Sequence, residues 1–225
     1  MAHRRVARRA GVVATVTAAA VFVASCGGTG YNYVKSSDFN TYFRVPKEWR
    51  VFEEKTVVTA LAKDQELSDE QRSRVLDSSW RTMFDASPKP KLGHVNTFSR
   101  YPTGNVVSTY LSAEESLNAN DGFLLDYFFG VSEAANEGRL TVLESESVNR
   151  EGGFHGVRIL GRLVLGDANA EGAYEGPAVT FDQTVMIDQQ RSRVFGMFVS
   201  CSAKCYEKHK GKITRVVDSW TVTDK

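Results

Sequence analysis

The sequence predicts an α+β fold, a central antiparallel sheet with helices packed on its faces. Three observations point there. Four strand-length apolar runs follow one another in the second half of the chain, capping boxes open two helices in the first half, and an amphipathic helix comes near the end. The apolar stripe of each helix needs a sheet face to bury against.

Taken in order, residues 39–45 read as extended, and Pro46-Lys47-Glu48 turns the chain. Trp49, Val51 and then Val57-Val58 continue as strand or as the start of a helix. Ser68-Asp69-Glu70-Gln71 is a capping box, and Val75, Leu76, Trp80, Met83 and Phe84 recur at helical spacing after it. That helix is expected to end at Ser87-Pro88-Lys89-Pro90. Residues 94–100 and 105–111, joined through Tyr101-Pro102-Thr103-Gly104, read as a β-hairpin. Ser112-Ala113-Glu114-Glu115 is the second capping box, and 123–131 is a short apolar helix or strand. Strands are expected at 140–148, 157–165, 179–187 and 194–199, the last two joined by a tight hairpin at Asp188-Gln189-Gln190-Arg191. A helix over 203–218 places Tyr206, Ile213, Val216 and Val217 on one stripe, and Lys208, Lys210, Lys212 and Arg215 cover the other side. Trp220-Thr221-Val222 closes the chain as a strand. Trp49, Trp80 and Trp220 each fall on an apolar phase and are expected in one core.

The 225 residues are 42% apolar and 24% charged, a globular balance that excludes disordered, collagenous and polytopic membrane classes. The net charge of +1 hides an asymmetry. Residues 1–25 hold Arg4, Arg5, Arg8 and Arg9 and no acid; with these set aside, 28 basic residues become 24 against 27 acidic ones, or −3. A mildly acidic body does not match a phosphate backbone, so no nucleic-acid partner is expected.

Those arginines precede an Ala/Val-rich run at 10–23, the basic and apolar regions of an export signal. Val23-Ala24-Ser25-Cys26-Gly27 follows, an aliphatic residue and two small ones before a cysteine. This resembles the bacterial lipobox. Small side chains let the backbone enter the peptidase cleft, and the thiol forms the thioether to diacylglycerol. Cleavage between Ser25 and Cys26 with acylation of Cys26 is therefore expected, giving a stable anchor on the extracytoplasmic face of the cell membrane. An ordinary signal peptide, a retained N-terminal helix, and export by the twin-arginine route through Arg8-Arg9 are the alternatives. The division expected is a signal at 1–25, a lipidated N-terminus and tether at 26–37, and one domain at 38–225.

Phe39-x3-Phe43-x-Val45-Pro46-x2-Trp49 is similar to the entry of PsbP-like domains. A strand running to Cys201, then a helix leading to Ile213-x2-Val216-Val217-Asp218-Ser219-Trp220-x-Val222, is similar to their closing strand–helix–strand. With the lipobox, the chain resembles actinobacterial PsbP-like membrane lipoproteins of the LpqN type. The resemblance implies an α/β/α sandwich around an antiparallel sheet. It also implies an accessory or binding role at a membrane-associated assembly, without catalysis. Residues 60–135 depart most from the pattern.

Chemistry-bearing patterns are sparse. Neither a G-x-S-x-G elbow nor an H-E-x-x-H helix occurs, and His94, His155 and His209 fall in different expected elements with no carboxylate adjacent in sequence. They read as surface histidines. Gly152-Gly153-Phe154-His155-Gly156 lacks the spacing of a phosphate loop and reads as a hairpin turn. Asp167-Ala168-Asn169-Ala170-Glu171-Gly172 matches the first half of a calcium loop, but its twelfth position is Ala178, so a solvated acidic turn is expected. No cofactor or metal is expected. Leu124, Leu125, Tyr127, Phe128 and Phe129 form the densest apolar cluster, either core or the wall of a groove. With Cys26 consumed by lipid, Cys201 and Cys205 are an even pair in an oxidising compartment and are expected to form a disulfide. Zinc ligation by Cys201, Cys205 and His209 on one continuous helix, and two free thiols, are the alternatives. The function expected is a non-enzymatic, lipid-anchored binding or accessory module with a protein or small apolar ligand as partner. An envelope hydrolase and an apolar-ligand carrier are the alternatives.

Overall fold

A computed structural model describes residues 30–95, 97–166, 169 and 174–224. Ser25, Cys26 and the signal segment lie outside the described residues, as does most of the acidic loop at 167–172.

In chain order the elements are β1 (Tyr31–Ser36), β2 (Thr41–Pro46), β3 (Arg50–Phe52), α1 (Glu54–Asp64), α2 (Asp69–Ser78), β4 (Ser79–Asp85) and β5 (Thr103–Tyr110). Then come α3 (Ala113–Asn118), α4 (Asp121–Leu125), α5 (Val131–Asn136), β6 (Leu140–Arg150), β7 (Phe154–Val164), β8 (Ala178–Ile187) and β9 (Arg193–Ser202). The chain closes with α6 (Ala203–Asp218) and β10 (Thr221–Val222). Seven strands form one antiparallel sheet in the order β3-β4-β5-β9-β8-β7-β6, and β1-β2-β10 form a small second sheet.

Alternation along the strands sorts side chains into two layers. Phe195, Met197, Val199 and Cys201 of β9 face α6 and the small sheet, where Phe43, Val45, Trp49, Trp80 and Trp220 join them in the main core. Val194 and Phe198 face the other way, toward α4 and α5. On that side α1 packs Val57 against Met83. Ridges of Tyr206, Ile213, Val216 and Val217 bury the inner stripe of α6, as its 3.6-residue period requires.

Three expectations are corrected. Residues 31–36 are not tether but β1, paired along its length with β2. Its alternation hides because only Val34 among the inward positions is strongly apolar, opposite Phe43. The helix expected through 84 stops at Ser78, and 79–85 is strand. The apolar residues there satisfy both periods. The sheet decides, because β4 finds partners on both edges while α2 buries none of its own side chains. The described residues of 94–100 form no strand, and β5 pairs instead with β4 and β9. The capping boxes at Ser68 and Ser112 close with both reciprocal bonds. The turn at 188–192 is held by Asp188, whose carboxylate accepts from Ser192 N–H at 2.7 Å and Arg193 N–H at 3.1 Å. Burial raises that carboxyl's pKa, but the hydrogen bonds from Ser192 and Arg193 outweigh it and hold the group below the usual range.

At the β9–α6 corner Cys201 and Cys205 are joined by a disulfide, with Cα atoms 5.9 Å apart and both side chains buried. The strand ends at Ser202, so the two cysteines and His209 do not share one helix. Closing so short a loop contributes about 2 kcal/mol in the chain-entropy model, so fixing the corner is its larger effect. Alkylation of the denatured protein is expected to label neither cysteine until a reductant is added. Labelling without reductant contradicts the bridge.

Candidate functional site

On the α3–α5 side of the sheet, aromatic side chains from distant parts of the chain meet. Phe181 of β8 and Phe198 of β9 stack with centroids 5.6 Å apart. The loop from α4 to α5 drops Phe128 and Phe129 onto them: Phe128 lies 5.5 Å from Phe198, and Phe129 lies edge-on to Phe181 at 5.0 Å. Close approach needs glycine below. A Cβ on Gly196 would meet Phe128 at 2.7 Å, and one on Gly161 would meet Phe181 at 2.5 Å. Tyr127 continues the chain edge-on to Phe128 at 5.3 Å. Its hydroxyl pKa is pushed up to about 12 by burial, against the opposing pull of Arg81, so the ring enters this layer neutral.

The layer does not close. Between Phe128 and Phe129 on one side and Phe98, Leu163, Leu165 and Val179 on the other runs an open groove of about 550 Å³. Asn105 and Ser200 also line it, and Glu133 and Arg139 stand among its walls. Asn105 sits on β5 opposite Phe198 of β9, and its Oδ1 is buried without a hydrogen-bond partner among the described residues. An orphaned buried acceptor costs about 1–3 kcal/mol, a cost that a hydroxyl or amide N–H supplied from outside would remove. Phe98 is 40% exposed, a large apolar side chain left partly in water at the groove wall. The volume lies within the range of small-molecule sites, which are apolar with few polar groups.

A second cluster gathers around Asp85, fully buried at the end of β4. Its carboxylate accepts from Ser87 N–H at 2.7 Å, Ser87 O–H at 2.9 Å and Lys91 N–H at 2.9 Å, and His94 Nδ1 lies 2.7 Å away. His94 is thus not a lone surface histidine; it lines a shallow cleft with Pro88, Arg100 and Tyr101. A serine nucleophile would have to sit on Nε2, across the ring from the orienting acid. Ser87 instead lies on the Nδ1 side, 3.4 Å away, and shares the same carboxylate. The acid braces the 86–94 loop.

The remaining candidates take plainer places. Gly152 and Gly153 form the β6–β7 turn with φ of 80° and 77°, as the hairpin reading requires. Strands β7 and β8 flank the acidic loop, and Asn169 donates to Glu175 at 3.2 Å. His155 lies on β7 and His209 on α6, far apart in the topology. Among the described residues no three His, Cys, Asp or Glu side chains gather as a metal site, and no helix is long and apolar enough to cross a membrane.

No family model and no curated protein matches this sequence. Solved structures do. Cyanobacterial PsbP (CyanoP) from Synechocystis superposes over 89% of this chain and 99% of its own, with a TM-score of 0.50 at 14% identity. The fold is PsbP-like. LpqN of Mycobacterium tuberculosis, involved in cell envelope biogenesis, matches over 86% of this chain and 91% of its own, with a TM-score of 0.46 at 13% identity. The Ran-binding protein Mog1p of Saccharomyces cerevisiae matches over 86% and 96%, with a TM-score of 0.45 at 10% identity. On this PsbP-like sheet, sequence reasoning had marked Phe128 and Phe129 but missed Phe98, Phe181, Phe198 and Asn105. Asn105 gave no local signal, because its strand also holds Thr103, Ser108 and Thr109.

Proposed function

We propose that the chain is an extracytoplasmic lipoprotein, anchored through diacylglycerol on Cys26, whose PsbP-like domain is a binding module without catalysis of its own. Its ligand is a small apolar molecule carrying one hydrogen-bond donor, held in the aromatic groove. The anchor is supported by the arginine-rich start, the apolar run and Val23-Ala24-Ser25-Cys26. One observation carries the ligand: a groove of about 550 Å³ walled by phenylalanines and lined in part by Asn105, whose buried Oδ1 has no hydrogen-bond partner among the described residues.

The test is displacement of the fluorescent probe N-phenyl-1-naphthylamine. 1-Decanol is expected to displace it about tenfold more tightly than the methyl ether of the same chain, the worth of one hydrogen bond to a buried acceptor. Asn105→Leu is expected to erase that preference. Phe98→Ala, at a half-exposed position where folding is not at stake, is expected to weaken both ligands. Equal affinity for alcohol and ether in the unaltered protein contradicts the assignment.

The competing reading, an envelope hydrolase, draws on the Asp85–His94 pair. It requires turnover of p-nitrophenyl butyrate that His94→Ala abolishes; the binding-module reading predicts no turnover above the uncatalysed rate.

A further inference from the structure

A basic and aromatic surface stands on the opposite side of the molecule from the groove. Along α6, Lys204, Lys208, Lys212 and Arg215 are exposed and fall at i, i+4, i+8 and i+11. That spacing lines them on one side of the helix over about 16 Å. Glu207 and Asp218 border the stripe, three residues on from Lys204 and Arg215, and Asp218 turns toward Arg158 at 4.0 Å. Lys212 pairs with Glu48, and no carboxylate among the described residues lies within ion-pair distance of Lys204, Lys208 or Arg215. Burial, and after it Lys208 and Lys212, lowers the pKa of His209 beside the stripe.

The stripe continues onto the small sheet. Because Val34 and Phe43 point inward as a pair, Tyr33 and its partner Arg44 point outward, as do Lys35 and its partner Tyr42. Tyr33 is 64% exposed and Tyr42 49%. Two contacts around Tyr31 join the surfaces. The Arg44 guanidinium stacks 4.9 Å over its ring, and Arg215 Nη1 donates to its hydroxyl at 3.5 Å. Tyr31 opens β1, and only four peptide links separate Cys26 from Gly30 before it. Extended chain of that length reaches about 14 Å.

We infer that this face docks the domain on the anionic headgroups of its own membrane, leaving the aromatic groove turned outward. The inference rests on acylation of Cys26. The acyl chains enter the bilayer within about 18 Å of Tyr31, five links on from Cys26, which forces some side of the domain against the headgroups. The side nearest the anchor carries the unpaired cations and exposed tyrosines. Tyrosine suits the headgroup depth, and lysine and arginine near an anionic surface are attracted by about fivefold in affinity each.

The experiment is lysine footprinting with a membrane-impermeant acylating reagent. It uses the full-length acylated protein in vesicles of phosphatidylcholine alone or with phosphatidylglycerol. Labelling of Lys204 and Lys208 is expected to slow about fivefold or more in the anionic vesicles and to recover at high salt. Lys63, on α1 across the large sheet, is expected to react equally in both. Lys204→Glu together with Lys208→Glu should return Lys212 to its rate in neutral vesicles. Equal labelling of an acylated protein in both lipids overturns the docking alone. Protection in both lipids that grows with protein density assigns the face to a second copy of the chain and also overturns it. An intact mass without the acyl group removes the anchor, and the docking falls with it.

Discussion

Replacing Trp220 by alanine is expected to cost about 3–5 kcal/mol, the range for truncating a large aromatic side chain in a core. Trp220 is buried in the main core and follows directly on α6. Its indole N–H donates to Thr41 Oγ1 at 2.9 Å, which ties the end of the helix to β2. Strand β10 behind it is two residues long and pairs with β2, with Thr223 N–H donating to the Asn40 carbonyl at 3.0 Å, so the indole is the largest side chain that fastens this end to the core. Truncation thus opens a cavity and removes the indole hydrogen bond, leaving the Thr41 hydroxyl only its bond to the Thr221 carbonyl at 3.2 Å. Urea denaturation reads the loss as a lower midpoint at constant slope. A variant that unfolds at the wild-type midpoint contradicts the docking of the closing strand.

Asp182→Ala is expected to be nearly as severe, about 3 kcal/mol, because it removes the buried counter-charge of a partly buried guanidinium and leaves it only the exposed Glu146 at 3.3 Å and Asp218 at 4.0 Å. Asp182 is 2% exposed under α6, and Arg158 grips it with Nε at 2.9 Å and Nη2 at 2.8 Å. Tyr206 of α6 donates its hydroxyl to the same carboxylate at 3.3 Å. Hydrogen bonding to Asp182 raises the Arg158 pKa, and burial followed by the Asp182 charge raises that of Tyr206, so donor roles are fixed at any physiological pH. The double variant Asp182→Ala with Arg158→Met should recover much of the loss, since neither charge then remains. A double variant no more stable than Asp182→Ala would show that the cost lies in packing around Asp182 and not in the orphaned cation.

Legibility differed by element for physical reasons. Helix α6 could be read because its buried stripe keeps a 3.6-residue period, and β7, β8 and β9 because they are strand-length runs rich in Val, Ile and Phe bounded by glycine or charged turns. Strand β4 could not: Val75, Leu76, Trp80, Met83 and Phe84 satisfy a helical stripe, and only pairing with β3 and β5 breaks the tie. Pairing of that kind is non-local, and a one-dimensional pattern holds no record of it. The Asp85–His94 contact likewise depends on a loop that turns back because one carboxylate gathers four of its donors. The groove was half legible. The run Tyr127-Phe128-Phe129 announces an aromatic cluster, yet Phe98, Phe181 and Phe198 reach it from three other segments. Whether such a cluster closes into core or opens into a groove depends on the spacing of those segments, which no single window contains.

The most direct test of the binding-module account is a titration of the 19F-phenylalanine-labelled protein with 1-decanol, followed by NMR. The account predicts saturable shifts at Phe98, Phe128 and Phe198 in the groove, with Phe43 and Phe84 in the core behind the sheet unmoved. Shifts spread evenly over both sets of rings, or none up to the solubility limit of the alcohol, would contradict it.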